Sequence, residues 1–98
     1  MFVLFVDMSV KPGSQQALQK TYTEIFHPAI SRQEGFRDVE LLRPNQDPIG
    51  EGGEWRLRIA FESHALQKKW VALDLHQEVW PQMENHFADY SVNDYTAV

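Results

Sequence analysis

The chain of 98 residues contains no cysteine. This absence excludes a disulfide framework and a thiolate metal site. Basic residues are also few, with 9 lysines and arginines against 14 acidic residues and a net charge of −5. Because this charge opposes that of a phosphate backbone, nucleic acid is not expected as a partner.

Long hydrophobic runs are absent as well. The apolar opening of the chain ends at Asp7, whereas a membrane span needs roughly 20 apolar residues. The opening also lacks a basic leader and a small-residue cleavage site, so it does not resemble a signal peptide. We therefore expect a soluble, cytoplasmic protein with no membrane partner. The length and the apolar fraction of 43% predict one domain over residues 1–98.

Alternation of apolar and polar residues predicts four strands. They are expected over residues 2–10, 36–43, 54–62 and 90–98. Residues 45–53 are rich in glycine, proline, asparagine and aspartate. This composition is typical of a loop between two strands.

Helical spacing of apolar residues predicts two helical regions between the strands. The first covers residues 15–34 and is expected to kink at Pro28, which has no backbone N–H to donate. The second begins after the cap residue Ser63 and starts afresh at a second cap residue, Asp74. Pro81 is expected to interrupt its last segment or to begin a new piece.

The resulting order, β-α-β-β-α-β, is that of a ferredoxin-like α+β fold with a four-stranded antiparallel sheet. Both helical regions cover the same face of that sheet. The other face is expected to expose Val3, Phe5, Tyr95 and Val39 or its neighbours. Since an exposed apolar face needs a cover, we expect a second copy of the chain to pack on it. The predicted assembly is a homodimer that closes into a dimeric α+β barrel.

Three short segments resemble the antibiotic biosynthesis monooxygenase family of dimeric α+β barrel proteins. They are Val-Lys-Pro-Gly at 10–13, Glu-Gly-Phe at 34–36 and Phe-Glu-Ser at 61–63. The resemblance extends over nearly the whole chain and implies the barrel fold. Family members include cofactor-free monooxygenases of polycyclic phenols and quinols, haem-degrading enzymes and isomerases of small signalling sugars.

The residues at the family's functional positions indicate which of these activities to expect. Haem-degrading members use an Asn, a Trp and a haem-ligating His, and the corresponding positions here are Asp7, Trp70 and Trp80. An indole cannot ligate iron, because its nitrogen lone pair belongs to the ring, so haem degradation is not expected. Quinol-oxidising and sugar-isomerising members often carry two His about five residues apart in this region. Here Trp70 stands at the first position. His76 lies one residue after the second position and is the only histidine that approximates the pattern.

Trp70, His76 and Trp80 form the densest group of chemically useful side chains. His76 and Trp80 are four residues apart and share a face of a regular helix. An imidazole with a pKa near ~6.5 can accept a phenolic or enolic proton at neutral pH. The alternative is that both indoles pack in the core and that His76 is structural.

Four further residues are candidates for ligand binding. Asp7 interrupts an apolar strand and needs Arg56, Arg58 or a ligand as its partner, and a structural or intersubunit ion pair is the alternative. The two arginines could orient an anionic substrate or remain solvated. His27 precedes Pro28 in the first helix, where it could reach a pocket or support helix packing. The four histidines have no metal-ligand spacing, so neither a metal nor another cofactor is expected.

These observations predict a cofactor-independent monooxygenase that acts on a small aromatic, quinol or enolisable compound. His76 is the predicted general base. The predicted substrate-binding residues are Trp70, Trp80, Asp7, His27, Arg56 and Arg58. The alternative is a non-catalytic ligand-binding or interaction module on the same dimeric scaffold, because a fold does not dictate a function.

Overall fold

The four predicted strands all form. The computed structural model describes residues 1–45 and 53–98, so positions 46–52 of the predicted loop lie outside the described residues. The strands are β1 (Phe2–Val10), β2 (Phe36–Leu42), β3 (Gly53–Phe61) and β4 (Phe87–Thr96). β4 thus begins before the predicted position, because Phe87 is already paired opposite Val10 of β1.

The strands form one sheet in the order β2-β3-β1-β4, and every neighbouring pair is antiparallel. This order and the element sequence confirm the predicted ferredoxin-like α+β fold. Val6 of β1 lies opposite Leu57 of β3 and Val92 of β4. Since side chains alternate along a strand, this register places every second residue of β1 on the face that meets the helices.

The first helical region contains a wide turn that the sequence pattern did not indicate. It consists of α1 (Gln15–Thr21), a π-helical segment (Tyr22–Phe26) and α2 (His27–Ile30). The wide turn immediately precedes Pro28, which cannot donate to the carbonyl of the preceding turn. The expected irregularity at Pro28 therefore takes the form of a π-helical turn.

This helical region ends at Ile30, so the expectation that it continues to Glu34 was wrong. The Gln33 side chain donates from Nε2 to the carbonyl of Ala29 at 2.9 Å, and the backbone then turns at Gly35 with φ of 79°. A Cβ at Gly35 would collide with the Leu66 side chain, so only glycine fits this turn. A capped carbonyl and a left-handed glycine both end a helix early.

The second helical region divides into α3 (His64–Val71) and α4 (Asp74–Glu84). Ser63 is the predicted cap of α3, and its Oγ accepts a hydrogen bond from the Leu66 N–H at 3.2 Å. The prediction that Asp74 caps α4 was wrong, because Leu73 occupies the cap position. Asp74 is instead the first helical residue, where its negative charge faces the positive end of the helix dipole.

Pro81 lies inside α4 without ending it. The expected interruption there was therefore wrong. Proline removes one backbone hydrogen bond, but Val79 and Met83 on either side are 5% and 0% exposed. Burial of these two side chains against the sheet holds the helix together across the proline.

The core lies between the helices and one face of the sheet. Alternate residues of β3, namely Trp55, Leu57, Ile59 and Phe61, are all buried, as the pattern predicts. No polar or charged residue in the described part of the chain is buried. None of the helices formed by residues 1–45 and 53–98 is long and apolar enough to cross a membrane.

The opposite face of the sheet, here called the open face, carries its aromatic residues at one end. Val3, Phe5, Ala60 and Tyr95 lie there, and Tyr95 is 57% exposed. Leu42 lies at the other end of this face, opposite Arg56. Of the two possibilities for β2, the neighbours of Val39 lie on the open face, and Val39 itself pairs with Ile59 and faces the helices. A bulge between Phe36 and Asp38 shifts the register of β2 by one residue, and such a shift exchanges the two faces of a strand.

Candidate active site

A cavity of about 150 Å³ lies between the sheet and the helices. The sheet contributes Leu4, Val6, Ile59, Tyr90 and Val92 to its wall. The helical regions contribute Phe26, Gln67, Trp70, Val71, His76 and Trp80. The wall is therefore largely apolar and aromatic, with few polar groups, as is usual for a small-molecule site.

The structure brings together the three residues that the sequence singled out. Trp70 lies near the end of α3, while His76 and Trp80 lie one turn apart on α4. The His76 ring stacks on Trp80 with centroids 6.2 Å apart and meets the edge of Trp70 at 5.0 Å. The break between the two helices thus lets two indoles hold the imidazole from two sides.

The indoles differ in their surroundings. Trp70 is 2% exposed and belongs to the core, so it is both core packing and a wall of the cavity. Trp80 is half-buried and lies within 6 Å of three other rings, those of Phe26, Phe87 and Tyr90. This aromatic cluster fixes the orientation of Trp80 and, through it, of His76.

Burial lowers the pKa of His76 below the 6.5 of a free imidazole. The Glu84 carboxylate acts in the opposite direction and has the smaller effect. The first effect is the cost of placing a charge among aromatic side chains, and the second is the attraction between the carboxylate and the imidazolium. The lowered pKa favours the neutral imidazole, which is the form that can accept a proton.

Gln77 contacts the imidazole from the side. Its Nε2 donates to the carbonyl of Val71 at 3.0 Å and lies 3.4 Å from Nδ1 of His76. The bond to Val71 identifies the amide nitrogen, because only nitrogen can donate to a carbonyl. With Nδ1 facing Gln77, Nε2 is the ring nitrogen that remains for a ligand.

Two polar residues of the cavity wall were missed by the sequence reasoning. Gln67 lies one helical turn before Trp70, so the helical spacing of α3 could have placed it on the same face. Tyr90 alternates with Val92 along β4, and its hydroxyl donates to Glu84 at 3.0 Å. The contact of Tyr90 with the cavity depends on the pairing of β4 with β1, for which the sequence alone carries no signal.

The predicted acid–base pairs lie away from this cavity, on the open face. Arg56 donates to Asp7 at 2.7 and 3.4 Å, which confirms the structural ion pair considered as an alternative. Arg58 pairs with Asp38 at 2.6 Å and lies 3.7 Å from Glu40. Because the sheet stands between these groups and the cavity, they cannot touch a ligand bound there.

His27 also lies outside the cavity. Its side chain is exposed and meets Tyr22 edge to face at 5.8 Å. Of the seven predicted site residues, the structure thus assembles three around the cavity.

A second cavity, of about 320 Å³, is larger but chemically less suited to catalysis. Its wall consists of Gln19, Tyr22, Thr23, Leu41, Arg43 and Trp55. Burial, with help from Asp38 and Glu40, raises the pKa of Tyr22 above 10. The Trp55 Nε1 is buried without a hydrogen-bond partner among the described residues. The described residues of this wall include no histidine and no carboxylate, so the smaller cavity is the candidate active site.

Potential metal ligands are dispersed over the molecule. Within residues 1–45 and 53–98, no three histidine, aspartate or glutamate side chains come together in a way that could hold an ion. The described residues therefore offer no metal site to which a reaction step could be assigned.

The ferredoxin-like sheet and the aromatic cavity between it and the helices define an α+β protein with a candidate small-molecule site. The family model for antibiotic biosynthesis monooxygenase matches residues 1–81. The chain belongs to this family. The match covers all the helix-borne residues of the cavity wall and ends before β4.

Solved structures of the same fold cover almost the entire chain. SnoaB, a cofactor-independent oxygenase from Streptomyces nogalater, has a TM-score of 0.80 at 16% identity, covering 98% of this chain and 92% of its own. A Bordetella bronchiseptica protein named for the same monooxygenase family has a TM-score of 0.82 at 18% identity, with coverages of 99% and 96%.

A third structure, from Nitrosomonas europaea and named for this family, has a TM-score of 0.81 at 17% identity and covers 100% and 99% of the two chains. At such identities the likeness shows the fold alone. No curated protein matches the chain at a significant level.

Proposed function

We propose that this protein is a cofactor-independent monooxygenase that acts on a small aromatic, quinol or enolisable compound. The observation that carries the proposal is the neutral, half-buried His76, held between two indoles in the wall of an aromatic cavity. Membership of the family and the fold shared with SnoaB, a cofactor-independent oxygenase, support it.

In the proposed reaction, His76 accepts the proton of a substrate hydroxyl or enol. The resulting anion transfers one electron to O₂, and the substrate radical and superoxide then join in a carbon–oxygen bond. The imidazolium returns its proton to the outer oxygen. Loss of the C–H proton from the same carbon and of hydroxide from the outer oxygen leaves a carbonyl group and water. The substrate supplies all the electrons, so no other reductant is needed.

The proton transfer also indicates which substrates suit the site. A phenol has a pKa near ~10 and a free imidazole one near ~6.5, so the transfer to a histidine is uphill by roughly 5 kcal/mol. The lowered pKa of His76 adds to this cost. Acidic enols are therefore favoured because their proton transfer is less uphill. Electron-rich quinols are favoured because their oxidation is more downhill and pulls the transfer forward.

The base also needs the correct tautomer. An imidazole that accepts at Nε2 carries its own proton on Nδ1, which faces the amide nitrogen of Gln77. Two donors would then face each other. The Gln77 amide must turn and present its oxygen to Nδ1, at the expense of the bond to Val71.

The test compares His76→Ala with Trp70→Phe on a panel of quinols and polycyclic phenols under O₂, without added metal or flavin. Loss of a general base lowers turnover by ~10²–10⁴-fold, whereas Trp70→Phe retains an aromatic wall and should change turnover far less. Oxygen consumption and product formation are measured together. An unaltered rate in His76→Ala would remove this residue from the mechanism.

A non-catalytic ligand-binding module is the second candidate. The observation that favours it is the position of Asp7, Arg56 and Arg58 in ion pairs away from the cavity. His76 is therefore left in the cavity wall without a charged side chain from this group to assist it in catalysis. If the wild-type protein oxidises nothing on the panel yet binds aromatic compounds, this function is the better account.

We also propose that the protein forms a homodimer through the open face. Its exposed apolar surface is largely that of Tyr95, which is 57% exposed and meets Phe5 edge to face at 5.7 Å. Val3 and Ala60 beside them are only 8% and 1% exposed. Asp7 neutralises Arg56, whose guanidinium lies 4.8 Å from the Phe5 ring. A second copy placed on this end would bury aromatic surface without leaving a charge unpaired.

A further inference from the structure

We infer that the cavity accepts a single six-membered ring with two hydroxyl groups, a hydroquinone, and not a fused polycyclic compound. The inference rests on the proposed function for its chemistry, but it concerns binding and can be tested without turnover. Three features of the cavity carry it, namely its volume, the rigidity of its inner wall and the polar groups within it.

The volume corresponds to one ring. The cavity holds about 150 Å³, and an engineered apolar cavity of about that size in another protein binds a single benzene molecule. A second fused ring would need space that the cavity lacks.

The inner wall cannot move to provide that space. Val6, Phe26 and Ile59 are 2%, 1% and 5% exposed and belong to the hydrophobic core. Because cores are close-packed, displacing such side chains costs stability. A longer ligand would have to extend the other way, towards Tyr90 and Val92, which are 40% and 50% exposed. A second ring placed there would remain largely in water and add little affinity.

The polar groups of the wall suit two hydroxyls. His76 comes from α4 and Gln67 from α3, so they reach the cavity from different elements. The Tyr90 hydroxyl already donates to Glu84. A ring with two hydroxyl groups can bond both to Nε2 of His76 and to the Gln67 amide, whereas an unsubstituted ring offers neither side chain a hydrogen bond.

The wall also disfavours acidic rings. Among residues 1–45 and 53–98, no lysine or arginine lines the cavity, and a carboxylate without a cationic partner is costly to bury. A hydroxybenzoate of the same ring size should therefore bind more weakly than hydroquinone.

Calorimetric titration under nitrogen, which prevents oxidation, tests the inference. We expect hydroquinone to bind at least tenfold more tightly than either 1,4-dihydroxynaphthalene or 4-hydroxybenzoate. Equal or tighter binding of the two-ring compound would overturn the size argument. Equal or tighter binding of the benzoate would overturn the charge argument and, with it, the assigned ligand class.

A matched pair of variants tests whether the cavity itself sets the limit. Leu4 lines the cavity, while Leu41 is a half-buried leucine that lines the second cavity instead. Leu4→Ala should improve binding of dihydroxynaphthalene relative to hydroquinone by about tenfold, and Leu41→Ala should leave the ratio unchanged. The same binding ratio in both variants would show that the size of this cavity does not determine the preference for one ring.

The inference and the proposed function fail separately. Selective binding of hydroquinone without oxygen consumption in air would overturn the oxygenase but not the ligand. Oxygenation of polycyclic phenols with no preference for one ring would support the oxygenase and overturn the ligand.

Discussion

At the scale of single residues, the chemistry of the site depends on how Gln77 holds His76. The 3.4 Å contact between the amide nitrogen and Nδ1 favours the tautomer that carries its proton on Nε2. A carboxylate in place of the amide would accept from Nδ1–H and thereby leave the Nε2 lone pair available to the substrate. It would also stabilise the imidazolium.

We therefore predict that Gln77→Glu raises the pKa of His76 by about one unit and raises turnover roughly threefold or more near neutral pH. Because only the neutral imidazole accepts a proton, turnover falls as the pH drops through this pKa. The acid limb of the profile should lie below pH 6.5 in the wild type and higher in the variant. NMR titration of the imidazole measures the pKa directly.

The matched control is Gln82→Glu, which adds the same charge to the same helix. Gln82 is exposed and its amide bonds to the carbonyl of Glu78, away from the imidazole. An equal rise of the His76 pKa in both variants would show that general charge, and not the contact with Nδ1, controls the base.

The residues of the cavity could be predicted where helix geometry relates them. His76 and Trp80 are four apart on one helix, and this spacing alone places them together. Asp7 and Arg56 could be predicted as a pair, but not the face on which they lie. That face depends on which residues of β1 meet the helices, a property of the folded sheet.

At the scale of elements, alternation predicts β1 and β3 well because one face of each is buried. β4 was predicted as well, although it is exposed at every residue after Phe87. Helix ends were predicted less well. The first helix ends early because the Gln33 side chain bonds to the Ala29 carbonyl, an interaction that apolar spacing does not reveal. The continuation of α4 through Pro81 depends on burial of Met83, which outweighs the local preference of proline.

The cap of α3 can be tested against a second serine at a helix start. Ser63→Ala should lower the free energy of unfolding by ~1 kcal/mol, because the Leu66 N–H loses its acceptor. Ser14 stands at the start of α1, but its side chain makes no cap bond, so Ser14→Ala should change stability by less than about half that amount. Denaturant unfolding measures both, and equal losses would contradict the role of the Ser63 hydroxyl.

At the scale of the whole molecule, the open face is where prediction from sequence was least complete. The apolar residues of β1 and β4 were placed on it correctly. The sequence left open whether Val39 or its neighbours face this side, and the bulge after Phe36 moves Val39 to the helix side. As a result β2 presents Asp38 and Glu40 on the open face, and the aromatic side chains lie at one end. We therefore expect an interface through this face to centre on Phe5 and Tyr95.

Tyr95→Glu tests this interface with little risk to the fold. Tyr95 is 57% exposed, so an acidic side chain there leaves the core of one chain intact. In a dimer it would be buried beside Arg56, a cation that Asp7 already neutralises. Leu75→Glu is the matched control, because Leu75 is 38% exposed and lies on α4, away from the sheet. Sedimentation at micromolar concentration should give twice the chain mass of 11.4 kDa for the wild type and for Leu75→Glu. Tyr95→Glu should sediment as a single chain with an unchanged circular dichroism spectrum. If the wild-type protein sediments as one chain, the open face is exposed in solution and the proposed dimer is wrong.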